Sequence, residues 1–511
     1  MSKEPAHRRE MAPLWPALRK FSVTIKLHKR SSTTPANPPS NTGLSHSFPW
    51  LRKSIFLYAI ILPVILLAIA LATRTYDVSS FPYFKPGPPL FGATLPHQPA
   101  LAGIYNDENT NVQVLSYFRY DPFGLIGGGF VAPLLIFLST HLLGVTLFAV
   151  RIPFAIISSV TSVMVYFTTK KISGSAVSGV VSSLYFIVMM PSLIFGRMAF
   201  GENLIALLFV TLFYCILGMN ESEDWRSKRM WLLACALLGG ISIIVKLSGV
   251  VVVLFLLVYL ARRRMMKKGF PYAFLSLAMG IGVALAVFEI LARQAPVTVI
   301  QSGATNLSAV GAFTVGSELS IFRFFLLDTL PSGAIAYWGG VPVPEFWYLF
   351  LYFALGMLIL REYATYSDLL LALAVFAAFV GVIEPIGSYF LIMIQPLMAI
   401  AVGPGLRRAL EIPLAGSLAF YIFLFVPLAT SLGISLIIPS QLGNPYIYGR
   451  ATEIWKLLVV VPPLILLLLF TRFHTYNSRW RLVINAELFI VYIAVLIVAS
   501  FLVPDLYRYY I

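Results

Sequence analysis

The chain has 511 residues, of which 59% are apolar and only 11% charged, against about 25% charged in an ordinary soluble domain. That balance excludes a water-soluble fold. The net charge of +16 does not point to nucleic acid either, because the basic residues fall in short clusters between apolar runs.

Residues 1–53 hold Lys3, Arg8, Arg9, Arg19, Lys20, Lys26, Lys29, Arg30, Arg52 and Lys53, with a Ser/Thr/Pro/Asn stretch from Ser31 to Pro49. No apolar core precedes Ile55, so this segment reads as a disordered, basic cytoplasmic tail and not as a signal peptide. A helix needs about 20 apolar residues to cross the hydrocarbon core. Runs near that length predict an all-α polytopic membrane domain over 54–511, with about thirteen spans. They fall at 54–73, 148–168, 175–192, 203–219, 230–246, 248–261, 271–291, 345–361, 368–384, 389–404, 413–436, 455–471 and 482–503. Cys215 and Cys235, the only cysteines, sit inside such runs, which argues against an exported disulfide or a metal knot.

The run from Gly124 to Gly144, with Gly127-Gly128-Gly129 and His141, is also apolar. Counted as a crossing, it would throw every later basic cluster to the side opposite the tail. Left out, it puts Lys170-Lys171, Arg226/Lys228/Arg229, Arg262-Arg263-Arg264 with Lys267-Lys268, Arg407-Arg408 and Arg472/Arg479/Arg481 beside the tail, as the positive-inside bias requires. It is therefore read as an interfacial or re-entrant helix on the outer face. Two long outer segments follow from this topology, 74–147 and 292–344, and all inner loops are short. The first contains Phe81-Pro82-Tyr83-Phe84-Lys85-Pro86-Gly87-Pro88-Pro89, a composition for rigid irregular structure near headgroups.

Ionisable groups near a membrane are costly, so those on the outer side are read one by one. Asp107-Glu108 can supply a general base toward an acceptor hydroxyl or bind a divalent cation; the plain alternative is a solvated turn. Arg151, Arg197 and Lys246 fall at outer helix ends, where cations suit a lipid phosphate or snorkel to ordinary headgroups. Glu202 either pairs with one of them or merely favours a helix N-terminus. His97 and His141 show no zinc-like spacing and are read as structural. Asn306-Leu307-Ser308 is an outer-side glycosylation sequon; Asn220-Glu221-Ser222 faces inside and stays unmodified.

Taken in order, several segments resemble the GT-C superfamily of polyprenyl-phosphate-sugar-dependent glycosyltransferases, in the branch of protein O-mannosyltransferases and lipid A aminoarabinose transferases. Asp107-Glu108 matches the acidic pair of the first outer loop, and Pro133 to Gly144 resembles the amphipathic outer helix after it. Arg151-Ile152-Pro153 is similar to the opening of the second span, and Lys170-Lys171 and Met190-Pro191 to the basic turn and the Pro-terminated returning helix. Gly196-Arg197-Met198-Ala199-Phe200-Gly201-Glu202-Asn203 resembles an Arg-x-x-x-x-Glu-Asn opening, and Ile244 to Gly249 a Thr-Lys-x-Ser-Gly hairpin. Ser388-Tyr389 through Pro396 resembles a late Arg-Tyr-Leu helix, with Ser388 in place of the Arg. The likeness covers about the first 250 residues and the stretch near 389. The C-terminal outer domain of some relatives is expected to be missing, and no Trp-Trp-Asp-Tyr-Gly motif of oligosaccharyltransferases appears.

The resemblance implies a polyprenyl (dolichyl) phosphate-linked sugar donor, with its phosphate near Arg151, Lys246 or Arg197. It implies Asp107 as base, Glu108 assisting, and Glu202, Tyr389 and His97 in support. The acceptor would be a protein, glycolipid or lipid-linked oligosaccharide hydroxyl, the anomeric centre would invert, and a divalent cation would be optional. The membrane lipids are partners, and nucleic acid is not. A polytopic transporter or lipid-linked sugar flippase fits the same hydrophobicity, but transporters usually carry inverted repeats and midplane charges, and no repeat is found here. A catalytically silent membrane subunit is a third class.

Overall fold

A computed structural model describes residues 57–76, 78–79, 129, 131–292, 336–338, 341–343, 347–382 and 392–410. The tail, Asp107, Glu108, His97, Tyr389, the Asn306 sequon and the expected spans at 413–436, 455–471 and 482–503 lie outside the described residues. All the described residues fall in one compact unit, Phe56–Ile511.

A π-helical turn, Leu57–Ile61, leads into α1 (Leu62–Thr75), which carries Pro63 in its first turn, where a missing N–H costs nothing. Its buried residues, Pro63, Leu66, Ala70, Thr73 and Arg74, recur at helical spacing on one stripe. Val64 and Ile65 on the other faces are exposed, so the helix is apolar all round, as a lipid-facing span must be.

The segment expected to lie at the interface contains α2 (Val131–Leu143), 13 residues long. Next comes α3 (Leu147–Ser173), started by Thr146, whose hydroxyl accepts from the Ala149 N–H, and stopped by Gly174 at φ 66°. At about 1.5 Å per residue it spans about 40 Å, more than the hydrocarbon core. α4 (Ala176–Val188) and the short α5 (Met190–Phe195) make the returning segment, followed by α6 (Gly201–Glu221) and α7 (Trp225–Val245), the latter capped by Asp224 accepting from Ser227 N–H at 2.7 Å. A single 3-10 turn, Leu247–Gly249, joins α7 to α8 (Val250–Arg262), and α9 is Met266–Ala292. A two-stranded antiparallel pair, β1 (Ala336–Trp338) and β2 (Val341–Val343), adds a small strand element inside the second expected outer segment.

Two spans are expected at 345–361 and 368–384. They are observed within α10 (Trp347–Val382) as two helices that meet at a kink at Glu362, whose φ −139° and ψ 33° leave the helical region. The break falls where the sequence places the turn. α11 (Gln395–Leu410) ends the described part. Leu57–Thr75, α3, α6, α7 and Met266–Ala286 are long and apolar enough to cross a membrane, so the chain is a helical multi-pass membrane protein.

Lipid tails are as apolar as leucine, so helix association here rests on close packing and interhelical hydrogen bonds. Gly239 and Gly240 bring α7 onto Ser276 and Met279 of α9, and the Ser276 hydroxyl donates to Ala236 O at 2.8 Å. Ser183 on α4 donates to Ser162 O on α3 at 2.8 Å, and Ser182 accepts from the Gly403 N–H of α11 at 2.9 Å. Each such bond contributes about 1 kcal/mol. The aromatic spine Phe209, Phe213, Phe255 and Tyr259, with ring centroids 5.6 to 6.2 Å apart, fills the space between α6 and α8.

Candidate functional site

One end of the helix bundle gathers the C-terminus of α1, the start of α3, the α5–α6 loop, the end of α7 and the start of α2. Ala132 and Ile136 of α2 pack with Val150 and Phe154 of α3 and with Ala199 of the loop. The Ser139 hydroxyl ties α2 to Ala149 O at 2.5 Å.

Arg74, Arg151 and Arg197 all lie at this end with no solvent exposure. The Arg151 Nη1 donates to Val78 O at 3.4 Å, and the Arg197 Nη2 donates to Thr73 O. Arg197 sits in the loop between α5 and α6. Burial lowers its pKa from the ordinary value, and the like charge of Arg151 lowers it further. Asn203 fixes the same loop: its Nδ2 donates to Phe195 O at 2.9 Å and Met198 O at 3.0 Å. This gives the Arg-x-x-x-x-Glu-Asn spacing a physical reason. The Asn of the first helical turn closes the loop that carries the Arg.

Lys246, the C-cap of α7, makes an ion pair with Glu202, which stands in the first turn of α6 and is 1% exposed. Of the two readings of Glu202, partner of a cation or helix-end acid, both hold at once. Gly129, at φ 77°, backs directly onto that corner: a Cβ there would lie 1.6 Å from Val245 O and 3.1 Å from Lys246 Cα. Gly129 thus makes a close backbone approach to the end of α7. A Cβ on Gly201 would touch both Val245 and Ala132, which brings the Lys246–Glu202 pair beside the loop of Arg197.

The sequence-derived cations Arg151, Arg197 and Lys246 and the acid Glu202 therefore converge on one end. Asp107, Glu108, Tyr389 and His97 lie outside the described residues. His141 is exposed on α2 and stacks on Phe137 at 6.0 Å between centroids. Among the described residues, no three His, Cys, Asp or Glu side chains come together as metal ligands would. Arg74 is the residue missed by the sequence reading, which treats it as the first residue of a loop. Its signal is the spacing Pro63, Leu66, Ala70, Arg74, which continues the buried stripe of α1.

Residues 128–288 match the family model described as dolichyl-phosphate-mannose-protein mannosyltransferase. Among solved structures, the chain resembles ArnT from Cupriavidus metallidurans bound to undecaprenyl phosphate, with a TM-score of 0.51 and 13% identity over 88% of this chain and 76% of that one. The apo form of the same protein gives 0.51 and 13% over 89% and 76%. The chain thus shares the fold of ArnT, and about a third of it matches the mannosyltransferase family model. The likeness to the archaeal oligosaccharyltransferase AglB from Archaeoglobus fulgidus is weaker, with a TM-score of 0.43 and 12% identity over 82% of this chain and 56% of that one. No curated protein matches the sequence. The family match contains Arg151, Arg197, Glu202 and Lys246, and it begins after Asp107 and Glu108.

Proposed function

We propose that this chain transfers a sugar from a polyprenyl-phosphate donor to an acceptor hydroxyl on the extracytoplasmic face. What supports the reading is the convergence of buried Arg151 and Arg197 with Lys246 inside the segment matched to the mannosyltransferase family. Guanidinium groups desolvated at headgroup depth bind phosphate strongly and bidentately, and they suit a charge that grows on a leaving group. ArnT, whose fold this chain shares, binds undecaprenyl phosphate, a polyprenyl phosphate of the kind this step would release.

In the proposed step, Asp107 takes the proton of the acceptor hydroxyl while Glu108 orients it. The acceptor oxygen forms its bond to the anomeric carbon from the face opposite the phosphate. The bond from that carbon to the phosphate oxygen breaks, its electron pair stays on the phosphate, and the anomeric centre inverts. The cations stabilise the released polyprenyl phosphate, so the step does not route through a metal; the Asp107-Glu108 pair retains the capacity to bind a divalent cation. The Glu202 carboxylate keeps Lys246 neutralised before the donor arrives, and the donor phosphate then shares that ammonium.

In this orientation the Lys170-Lys171 end faces the cytosol, in the plasma membrane of a prokaryote or the endoplasmic reticulum of a eukaryote. The test is transfer from a radiolabelled polyprenyl-phosphate sugar by purified protein. Wild type is expected to release lipid phosphate, and Asp107→Asn to lose at least about 100-fold in rate while still inserting and folding. A flippase would leave the donor intact, and wild-type transfer by Asp107→Asn would remove that residue from the mechanism.

A further inference from the structure

We infer that Arg74 is the deepest cation of the phosphate site and a positioning residue that aims Arg197 at the donor; this rests on the glycosyltransferase reading above. Arg74 stands in the last turn of α1 with no solvent exposure. Its Nε donates to the Ser158 hydroxyl of α3 at 2.7 Å, and its Nη2 donates to the Ser192 hydroxyl of α5 at 2.8 Å and to Phe186 O at 3.4 Å. The Phe186 ring lies 5.3 Å from its Cζ. One guanidinium thus holds α1, α3, α4 and α5 together at the point where the Arg197 loop begins.

The two arginines are placed through each other. The Arg197 Nη2 bonds the carbonyl of Thr73, the residue before Arg74, while Arg74 bonds Ser192 on the helix that leads into the Arg197 loop. Gly196, next to Arg197, lies over the Arg74–Ser158 bond: a Cβ there would sit 2.4 Å from the Ser158 Oγ and 3.1 Å from the Arg74 Nε. Any larger residue at 196 would push the Arg197 loop off its seat.

Neutral hydroxyls and a carbonyl suffice to hold an arginine, but they do nothing to cancel its charge. Among the described residues the hydrogen-bond partners of Arg74 are all neutral, and its buried Nη1 has none. Burying such a charge beside a second arginine is unfavourable until an anion arrives, and it makes the pair a strong anion receptor when one does. A snorkelling arginine would reach for water instead, and Arg74 is drawn inward. The geometry fits a positive potential behind Arg197 that tightens on a phosphoryl group.

The test measures binding of undecaprenyl phosphate, and of the uncharged undecaprenol, to the purified full-length protein, alongside donor KM and kcat. Arg74→Gln is expected to weaken undecaprenyl phosphate about 10- to 100-fold, to leave undecaprenol binding unchanged and to raise donor KM more than it lowers kcat. Arg74→Lys, which keeps the charge, is expected to recover part of that loss. The Ser158→Ala/Ser192→Ala pair keeps the charge but loses its aim, and is expected to fall in between. A folded Arg74→Gln protein with wild-type affinity for undecaprenyl phosphate overturns the inference. So does equal weakening of phosphate and alcohol by Gln and Lys alike, which marks a purely structural role. If Arg74→Gln does not fold, unchanged phosphate affinity in the double serine variant overturns it. A wild-type protein that binds the phosphate no better than the alcohol instead refutes the donor-site reading itself.

Discussion

The two ends of the helix bundle treat the same residue types in opposite ways. At the end carrying Lys170 and Lys171, the cations reach outward and find acids: Lys171 pairs with Glu221 at 2.9 Å, Arg263 with Asp368 at 2.6 Å, and Arg408 with Glu362. Aromatic rings line the same level, with Trp225 beneath Lys268 at 4.8 Å and Tyr214 beneath Lys171 at 4.8 Å. The Asp368 hydrogen bond holds the pKa of Arg263, which is 44% exposed, above its ordinary value. This is how a membrane protein anchors itself among headgroups. At the other end Arg74, Arg151 and Arg197 are fully buried, and Arg74 donates to hydroxyls and a carbonyl. Cations that snorkel serve anchoring, and under the proposed function the cations kept dry receive the donor phosphate.

The contrast breaks most readily at the buried end. Replacing Arg197 by Ala is expected to cost about 100-fold or more in transfer rate, read with labelled donor, because a desolvated phosphate contact is lost. Wild-type transfer by that variant would erase the distinction between the ends. Next in size, Lys246→Met is expected to destabilise the fold by about 3 kcal/mol in thermal or denaturant unfolding, since it strands the buried Glu202 carboxylate. Adding Glu202→Gln should restore most of that stability without restoring transfer.

Two glycines sharpen the comparison at smaller scale. Gly129 and Gly174 both have positive φ, 77° and 66°, but a Cβ on Gly129 collides with the Val245 carbonyl, whereas one on Gly174 meets nothing within 4 Å. Gly174→Ala is expected to cost about 1 kcal/mol of stability and no activity. Gly129→Ala should cost more stability and also raise donor KM, because the backbone beside Lys246 must move. Equal effects from both would deny Gly129 its place at the site. The smallest expected effect is Lys171→Ala at the opposite end. Its partner Glu221 is 60% exposed, so stability should change by less than about 1 kcal/mol and transfer not at all.

The helices were readable because lipid imposes a length and a composition on each: the runs at 148–168, 203–219, 230–246 and 271–291 appear as α3, α6, α7 and α9 with their ends extended by a few residues. Arg151, Arg197, Lys246 and Glu202 were readable because an ionisable residue at the end of an apolar run stands out. Pairing was not. Nothing in the spacing of Glu202 and Lys246 says that two hairpins bring them together, and nothing in Arg74 says that its side chain turns inward to Ser158 and Ser192 rather than outward to water. The role of Asn203 was hidden for a similar reason: its partners are backbone carbonyls, which leave no trace in residue identity.

The most direct test of the account is an experimental structure of the protein with undecaprenyl phosphate in lipid. The account predicts phosphate density within hydrogen-bonding distance of Arg151, Arg197 and Lys246, with the polyprenyl tail leaving between helices at that end. Phosphate density among Lys170, Lys171 and Arg263 instead, or a lipid bound with no contact to any buried arginine, would contradict it.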